Sequence, residues 1–139
     1  MIAAVEALRY LTDEERIRLL ARAEARIYEA DECILPEGEP HEEIYILIKG
    51  AARVEKTTPT GTVCFDRMGP GEAFGEMSLL DGEPTSSAVV ADESSEVFVF
   101  HLASIADLLE DDPTLAANLY HSLAVTLARR LRERNRSVQ

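Results

Sequence analysis

The segment that decides the fold is FGEMSLLDGEPTSSA, residues 74–88. A glycine and a glutamate precede a short apolar run, an Asp-Gly break follows, and the segment ends in small hydroxyl residues. Glycine lets a backbone approach a ligand closely, and the free N–H groups at the start of a helical turn attract anions. The segment therefore suggests a pocket for a phosphate and a sugar, with candidate contacts at Gly75, Glu76, Met77, Ser78, Thr85, Ser86 and Ser87.

The group that would hold a phosphate here is not obvious, because no Lys or Arg lies between Arg67 and Arg129. Glu76 can accept hydrogen bonds from two sugar hydroxyls, and the hydroxyls of residues 85–87 can donate to phosphate oxygens. The same residues also fit a purely structural interpretation, in which Gly75 forms a turn, Glu76 starts a helix and the hydroxyls begin a strand. The residues alone leave both interpretations open.

The composition predicts one domain, residues 1–139, around an aliphatic core, because 46% of the residues are hydrophobic and none is Trp. No apolar run approaches the ~20 residues of a membrane span, and the N-terminus lacks the pattern of a signal peptide. Cys33 and Cys64 have a spacing typical of neither a metal site nor a disulfide framework. We therefore expect a cytoplasmic protein with reduced thiols.

The net charge of −12 is unevenly distributed along the chain. Residues 129–136 hold five of the 14 basic residues and one of the 26 acidic residues. The rest of the chain is strongly acidic and repels nucleic acids and anionic membranes. Only the basic tail at residues 129–136 could be attracted to them. The interpretation that we favour for this tail is the solvated end of a helix, whose arginines lie near the negative end of the helix dipole.

Short β-rich runs separated by turn residues fill the centre of the chain. About seven or eight strands are predicted, many of them spaced roughly 8–12 residues apart, and this spacing favours an antiparallel sandwich or barrel over residues 25–101. The clearest elements are strands at 44–48, 51–56, 62–68, 87–91 and 96–101, a hairpin loop at 57–61, and turns at 69–74 and 92–95.

Helices are predicted before the barrel, within residues 1–24. Thr12 and Glu15 have the spacing of a capping box, and apolar residues follow them at helical intervals. A shorter helix is expected at 5–10. The chain therefore enters the barrel through two short helical segments.

Helices are also predicted after the barrel, within residues 102–136. A short helix is expected at 103–110, and Asp112 then caps a helix of about 20 residues that begins at Pro113 and ends near Asn135. Its leucines recur every four residues, so the helix can cover the barrel and also meet a second copy of the chain. This predicted dimer seam consists of Leu119, Leu123, Leu127 and Leu131, with Ala116, Ala124 and Ala128 for close approach.

No constellation of residues argues for catalysis. His41, His101 and His121 lie far apart in the sequence and follow no metal-ligand spacing. The serines of residues 74–88 lack the G-x-S-x-G setting of a hydrolase. An enzyme with a cupin-like barrel is therefore a remote alternative.

Taken together, these segments resemble the cyclic nucleotide-binding domain family, which includes the sensor module of the catabolite activator protein. The likeness extends over about residues 8–135 and rests on PEGEPHEEIYILIKGAARV (36–54), GPGEAFGEMSLLDGEP (69–84), SAVVA (87–91) and LARRLRERN (127–135). It implies a mainly β fold, an antiparallel jelly-roll β-barrel with flanking helices and a long C-terminal helix. Residues 74–88, here named the cassette segment, match the family's phosphate-binding cassette.

The resemblance assigns roles to individual residues of the cassette segment. The family's cassette glycine falls on Gly75, its ribose-binding glutamate on Glu76 and a small phosphate contact on Ser86. Its phosphate-binding arginine follows a proline, whereas here Thr85 follows Pro84. An arginine contributes about 1.5–3 kcal/mol to phosphate binding, so its absence predicts affinity that is weaker by up to about two orders of magnitude.

On the long helix, the resemblance implies three further roles. An arginine that pairs with the cassette glutamate falls on Arg130, and base-contacting residues fall on Arg134 and Asn135. Arg130 could also reach a phosphate, but a pair with Glu76 is the expectation that we favour.

The predicted function is a non-enzymatic regulatory or sensor module for signalling, with weak or altered binding of cAMP, cGMP or another cyclic nucleotide. The alternative is a degenerate member that binds no nucleotide and serves as a dimerisation or protein-docking module. Expected partners are a second copy of the chain, joined through the C-terminal helix, and an effector protein. Regulators of the catabolite-activator type need a further helix-turn-helix domain, and the chain ends at Gln139 without one, so we do not expect this chain alone to bind DNA.

Overall fold

The centre of the protein is a β-barrel made of two antiparallel sheets. The computed structural model describes residues 6–76 and 81–138, with side chains described as far as residue 136. Within these residues the strands are β1 (Glu24–Tyr28), β2 (Cys33–Leu35), β3 (Glu43–Lys49), β4 (Ala52–Thr58), β5 (Gly61–Met68), β6 (Ala73–Phe74), β7 (Ala88–Ala91) and β8 (Ser95–His101). The sheet orders are β1-β8-β3-β6 and β2-β7-β4-β5. The predicted mainly β, antiparallel fold is confirmed.

The observed strands differ from the predicted runs mainly at the turns. The hairpin loop expected at 57–61 is shorter, because β4 extends to Thr58 and β5 begins at Gly61. A two-residue connection can join them because Gly61 adopts a φ of 132°, which few other residues tolerate. The short strand β6 also lies in a stretch predicted as a turn, where Phe74 pairs with Tyr45 of β3.

Helices precede and follow the barrel. The helix predicted at 5–10 is instead a short 3-10 turn at Glu6–Leu8, and Val5 lies outside the described residues. The α-helices described are α1 (Asp13–Leu20), α2 (Leu102–Asp111) and α3 (Pro113–Val138). No helix in the described part of the chain combines the length and the hydropathy of a membrane span.

The long helix α3 starts where the sequence predicts and ends slightly later. The Leu115 N–H donates to Asp112 Oδ1 over 3.0 Å, so Asp112 caps the helix and Pro113 occupies its first position. The helix continues beyond Asn135 to Val138. The arginines of the basic tail are therefore held on a continuous helix.

One face of α3 is buried against the barrel of its own chain. Leu119 and Leu123 are 3% and 1% exposed, so the prediction that they form a dimer seam is wrong. The physical reason is that β3 is apolar on both faces, and α3 covers the face that points away from the barrel interior. Leu127 is half-buried and Leu131 is 60% exposed. Leu115, Leu119 and Leu123 of α3 share a core with Leu8, Leu19, Ile44, Ile46, Phe100 and Ile105.

The capping box predicted at the start of α1 is confirmed, and it also joins α1 to α3. The Thr12 N–H donates to Glu15 Oε1 over 2.9 Å, and the Glu15 N–H donates to Thr12 Oγ1 over 3.2 Å. Asn118 Nδ2 on α3 donates to the same carboxylate over 3.0 Å. The Thr12 N–H, helped by Asn118, lowers the pKa of the Glu15 carboxyl against the opposing effect of burial.

Replacing this carboxylate should destabilise the fold at neutral pH. We expect Glu15→Ala to lower the free energy of unfolding by about 1–2 kcal/mol, because it removes the cap and the contact with Asn118. A lowered folded-state pKa stabilises the fold above the unfolded pKa, and this contribution is lost as the pH falls through the folded pKa. In urea denaturation, the difference in unfolding free energy between the wild type and Glu15→Ala should be smaller at about pH 3.5 than near pH 7. The exposed neighbour Glu14→Ala is the control, and an equal effect of both variants would contradict this role.

Candidate functional site

The cassette segment connects the two sheets of the barrel. It begins in β6, which pairs with β3 in one sheet, and ends at β7, which lies between β2 and β4 in the other. Residues 77–80 lie outside the described residues, so the contacts predicted for Met77 and Ser78 stay predictions.

Gly75 has no room for a side chain. Its φ is 84°, and a Cβ at this position would lie 3.0 Å from both the Glu43 carbonyl oxygen and His41 Cε1. Real Cβ contacts are rarely this short, so the close approach that glycine permits is made here by Glu43 at the start of β3 and by His41 in the loop before it. A steric requirement for Gly75 therefore exists without any ligand.

Glu76 is buried and paired with Arg130, as the sequence analysis favoured. Its residue exposure is 2%, and Arg130 Nη1 donates to Glu76 Oε1 over 2.8 Å. Arg130 Nη2 also donates to the Ala73 carbonyl oxygen. Burial raises the pKa of the Glu76 carboxyl, and the charge of Arg130 opposes that rise. The carboxylate that the resemblance assigns to a ribose thus holds α3 against the cassette segment.

Thr85, at the position of the family's arginine, makes hydrogen bonds within the protein. Its hydroxyl donates to the Pro36 carbonyl oxygen over 2.7 Å and accepts from the Glu39 N–H over 3.3 Å. The Gly38 N–H donates to the Thr85 carbonyl oxygen over 2.8 Å. Thr85 therefore fastens the loop between β2 and β3, and it supplies no charge. Ser86 beside it is exposed and Ser87 is half-buried.

A cleft of about 140 Å³ lies between β5 and α3. The guanidinium of Arg134 stands over the ring of Phe65, 5.2 Å from its centre, and lies 3.6 Å from the Asp66 carboxylate. Asn135 is exposed on the same helix. A guanidinium and an aromatic ring both provide flat surfaces on which a base can stack. The cleft is lined by Phe65, Asp66, Arg67, Glu72, Arg130, Glu133 and Arg134.

The structure places four of the predicted residues in two separate groups. Arg130 joins Glu76 to the cleft that contains Arg134, whereas Thr85 is attached to the loop at residues 36–39. Phe65 is absent from the site predicted from the sequence, in which His41 is considered only as a metal ligand. An exposed aromatic residue on a strand was a signal available for Phe65, but nothing in the local sequence connects His41 with Gly75.

The three histidines have different partners. His41 lies against Gly75, His101 Nε2 lies 3.0 Å from Glu24 Oε1, and His121 stacks on Tyr10 with 3.9 Å between ring centres. Among the residues that the structure describes, no cluster of three or more His, Cys, Asp or Glu residues could hold a metal ion.

Known proteins resemble this chain over most of its length. The cyclic AMP receptor protein of Thermus thermophilus is 35% identical over 88% of this chain, and the match covers 56% of that protein. A cyclic nucleotide-gated potassium channel of Mesorhizobium japonicum is 28% identical over 84% of this chain and 31% of its own length. The chain thus spans about half, or less, of these relatives.

A solved structure and a family model agree with these relatives. The crystal structure of a cyclic nucleotide-binding domain from Methylobacillus flagellatus superposes with a TM-score of 0.87 at 26% identity, covering 96% of this chain and 80% of that one. The sequence model described as "Cyclic nucleotide-binding domain" matches residues 25–112, from β1 to the start of α3. This chain belongs to the cyclic nucleotide-binding domain family.

Proposed function

We propose that this chain is a non-enzymatic regulatory module that binds a cyclic nucleotide weakly at its cassette segment. Membership of the family supports a sensor role, and the names of the relatives refer to cyclic AMP and to cyclic nucleotides. The candidate ligands are cAMP, cGMP or another cyclic nucleotide. Because those relatives are longer than this chain, the effector protein that would receive the signal is also part of the proposal.

The observation that carries this proposal is the state of Thr85. Its hydroxyl donates to Pro36, and it offers no guanidinium to a phosphate. Arg130 is engaged with Glu76 and Ala73. A bound phosphate would therefore depend on backbone N–H groups and neutral hydroxyls, without the bidentate, charge-assisted contact that an arginine provides.

Calorimetric titration with cAMP, cGMP and a cyclic dinucleotide tests the proposal. We expect a Kd in the micromolar range or weaker for at least one of them, since losing up to about 3 kcal/mol weakens binding roughly a hundredfold. A Kd of about ten nanomolar would contradict weak binding and would require a substitute cation. No heat up to about millimolar ligand would contradict nucleotide binding altogether.

The second candidate function is a dimerisation or protein-docking module without a nucleotide. A specific observation favours it: Glu76 and Thr85 already have partners within the protein. Buried polar groups that have partners need no ligand to be stable. The same titration separates the two functions, because a docking module binds none of the nucleotides.

A homodimer through α3 is part of the sensor proposal and of the docking proposal. Its seam does not include Leu119 and Leu123, which are buried against the barrel. The exposed side of α3 carries Ala124, Ala128 and Leu131, and Ala117 and His121 continue it at heptad spacing. Small residues on such a stripe allow two helices to approach closely. Leu131, at 60% exposure, is the largest apolar side chain in this stripe and would be its main anchor.

Leu131→Glu should prevent this dimer without unfolding the chain. Light scattering at micromolar concentration should give about twice 15.4 kDa for the wild type and about 15.4 kDa for the variant, because a buried carboxylate disfavours the interface. Ile17→Glu on α1 is a matched control, since Ile17 is 62% exposed. A monomeric wild type would exclude the dimer, and a dimeric Leu131→Glu variant would exclude this seam.

A further inference from the structure

His41 belongs to a loop that contacts both described ends of the cassette segment. The loop joins β2 to β3, and its residues 36–39 hold Thr85 through four hydrogen bonds shorter than 3.4 Å. Two residues later, the ring of His41 packs on Gly75, with Cε1 3.0 Å from where a Cβ would lie. His41 therefore lies beside the backbone of Gly75, in a loop that also holds Thr85.

The hydrogen-bonding pattern of His41 leaves one nitrogen without a partner. Its Nδ1 accepts from the Glu43 N–H over 3.4 Å, so a neutral ring must carry its hydrogen on Nε2. Nε2 is buried, and within the described residues it has no hydrogen-bond partner. A buried donor in this state is costly and is rare in folded proteins. His41 Nε2 is thus an unsatisfied hydrogen-bond donor beside the cassette segment.

Thr85 and the two arginines nearest to this segment already donate within the protein. Thr85 donates to Pro36, and Arg130 donates to Glu76 and Ala73. Arg67, the nearest basic residue before the segment, pairs with Asp92 over 2.7 Å. Among these described side chains, His41 is the one with a buried donor that is not in use.

We propose that His41 Nε2 donates a hydrogen bond to an exocyclic phosphate oxygen of the bound cyclic nucleotide, as a partial substitute for the absent arginine. This inference rests on the proposed function and names a specific contact within it. One imidazole N–H gives a single hydrogen bond where a guanidinium gives two, so His41 supports binding but does not restore high affinity. The acidic neighbours Glu42, Glu43 and Glu76 oppose a phosphate at this position, which also keeps the affinity low.

Two variants of His41 separate a ligand contact from a structural role. His41→Phe keeps a ring and removes both nitrogens, whereas His41→Gln keeps an N–H donor. We expect the first to weaken cAMP binding about tenfold and the second to weaken it by no more than about threefold. Without ligand, His41→Phe should change the urea midpoint little, because removal of the unsatisfied Nε2 donor offsets loss of the 3.4 Å hydrogen bond that Nδ1 accepts from the Glu43 N–H. A structural histidine would lower stability when replaced.

The two phosphorothioate diastereomers of cAMP provide a readout that only phosphate contact would change. Each carries sulfur, a poorer hydrogen-bond acceptor, in place of one exocyclic oxygen. The wild type should distinguish the two diastereomers, and His41→Phe should bring their affinities closer together, whereas a general loosening of the pocket would weaken both equally. If the wild type binds too weakly for the ratio of the two affinities to be measured, the same His41 variants are compared in the Thr85→Arg background.

The outcomes distinguish the two levels of the proposal. If cAMP binds to the wild type or to Thr85→Arg, but His41→Phe changes neither affinity nor the diastereomer ratio, the role of His41 is wrong and the proposed function stands. If neither protein binds cAMP, cGMP or the phosphorothioates, the proposed function fails and the role of His41 fails with it. A selective loss in His41→Phe with retention in His41→Gln supports both.

Discussion

The Thr85→Arg variant should bind cAMP about 10- to 100-fold more tightly than the wild-type chain. A guanidinium at this position can bind two phosphate oxygens, a contribution of about 1.5–3 kcal/mol. The substitution also removes the hydrogen bond from the Thr85 hydroxyl to Pro36, so the variant should lose about 0.5–1.5 kcal/mol of stability without ligand. Calorimetric titration and urea denaturation measure the two effects separately.

Three controls make the Thr85→Arg result specific. Ser94→Arg places the same charge in the exposed β7–β8 turn, beyond the end of β7 that lies away from the cassette segment, and should leave affinity unchanged. Thr85→Lys should gain less than Thr85→Arg, because an ammonium cannot make the bidentate contact. Adding Glu76→Ala to Thr85→Arg should abolish the gain if Glu76 binds the sugar. If Thr85→Arg folds and still binds no cyclic nucleotide, the docking function should replace the sensor function.

The Arg130→Met variant should lose about 3 kcal/mol of unfolding free energy near neutral pH. It removes the partner of the buried Glu76 carboxylate, and breaking a buried pair from one side leaves a charge without compensation. The double variant Glu76→Gln with Arg130→Met should recover most of this loss, because no isolated charge remains. Arg132→Met, an exposed neighbour on α3, is the control and should be nearly neutral.

The deficit of Arg130→Met should shrink in mild acid. Burial already raises the pKa of the Glu76 carboxyl, and loss of Arg130 removes the charge that opposes this rise. A group whose folded-state pKa is raised favours folding when protonated, and this contribution is lost as the pH rises through the folded pKa. Urea midpoints of variant and wild type should therefore lie closer together at about pH 5 than at about pH 8. A deficit that grows in acid would contradict the burial of an isolated carboxylate.

Much of the fold could be predicted because its signals are local. The Thr12 and Glu15 capping box, the start of α3 at Pro113 and the strand runs that became β3, β4 and β8 all follow from neighbouring residues. The strand β6 was missed because two residues carry no periodicity. Its pairing with β3 depends on contacts that only the folded chain provides.

The candidate site is built from residues that are distant in sequence. The local sequence pattern therefore does not predict most of its contacts. Thr85 contacts Pro36, and His41 packs on Gly75, across separations that no periodicity encodes. The leucine stripe of α3 was visible, but the choice between the barrel and a second chain was not. That choice follows from β3, whose outer apolar face needs a cover.

The most direct test of nucleotide binding at the cassette segment is an NMR titration of the isotopically labelled wild-type chain with cAMP and cGMP. We expect the amide signals of Gly75, Glu76 and Ser86 to shift with one of these ligands and to saturate together, with a Kd in the micromolar range or weaker. Signals at the opposite end of β3 from Gly75, such as that of Ser94 in the turn beside Gly50, should stay unchanged. Amides of the cassette segment that do not move up to about millimolar cAMP and cGMP would contradict the sensor function.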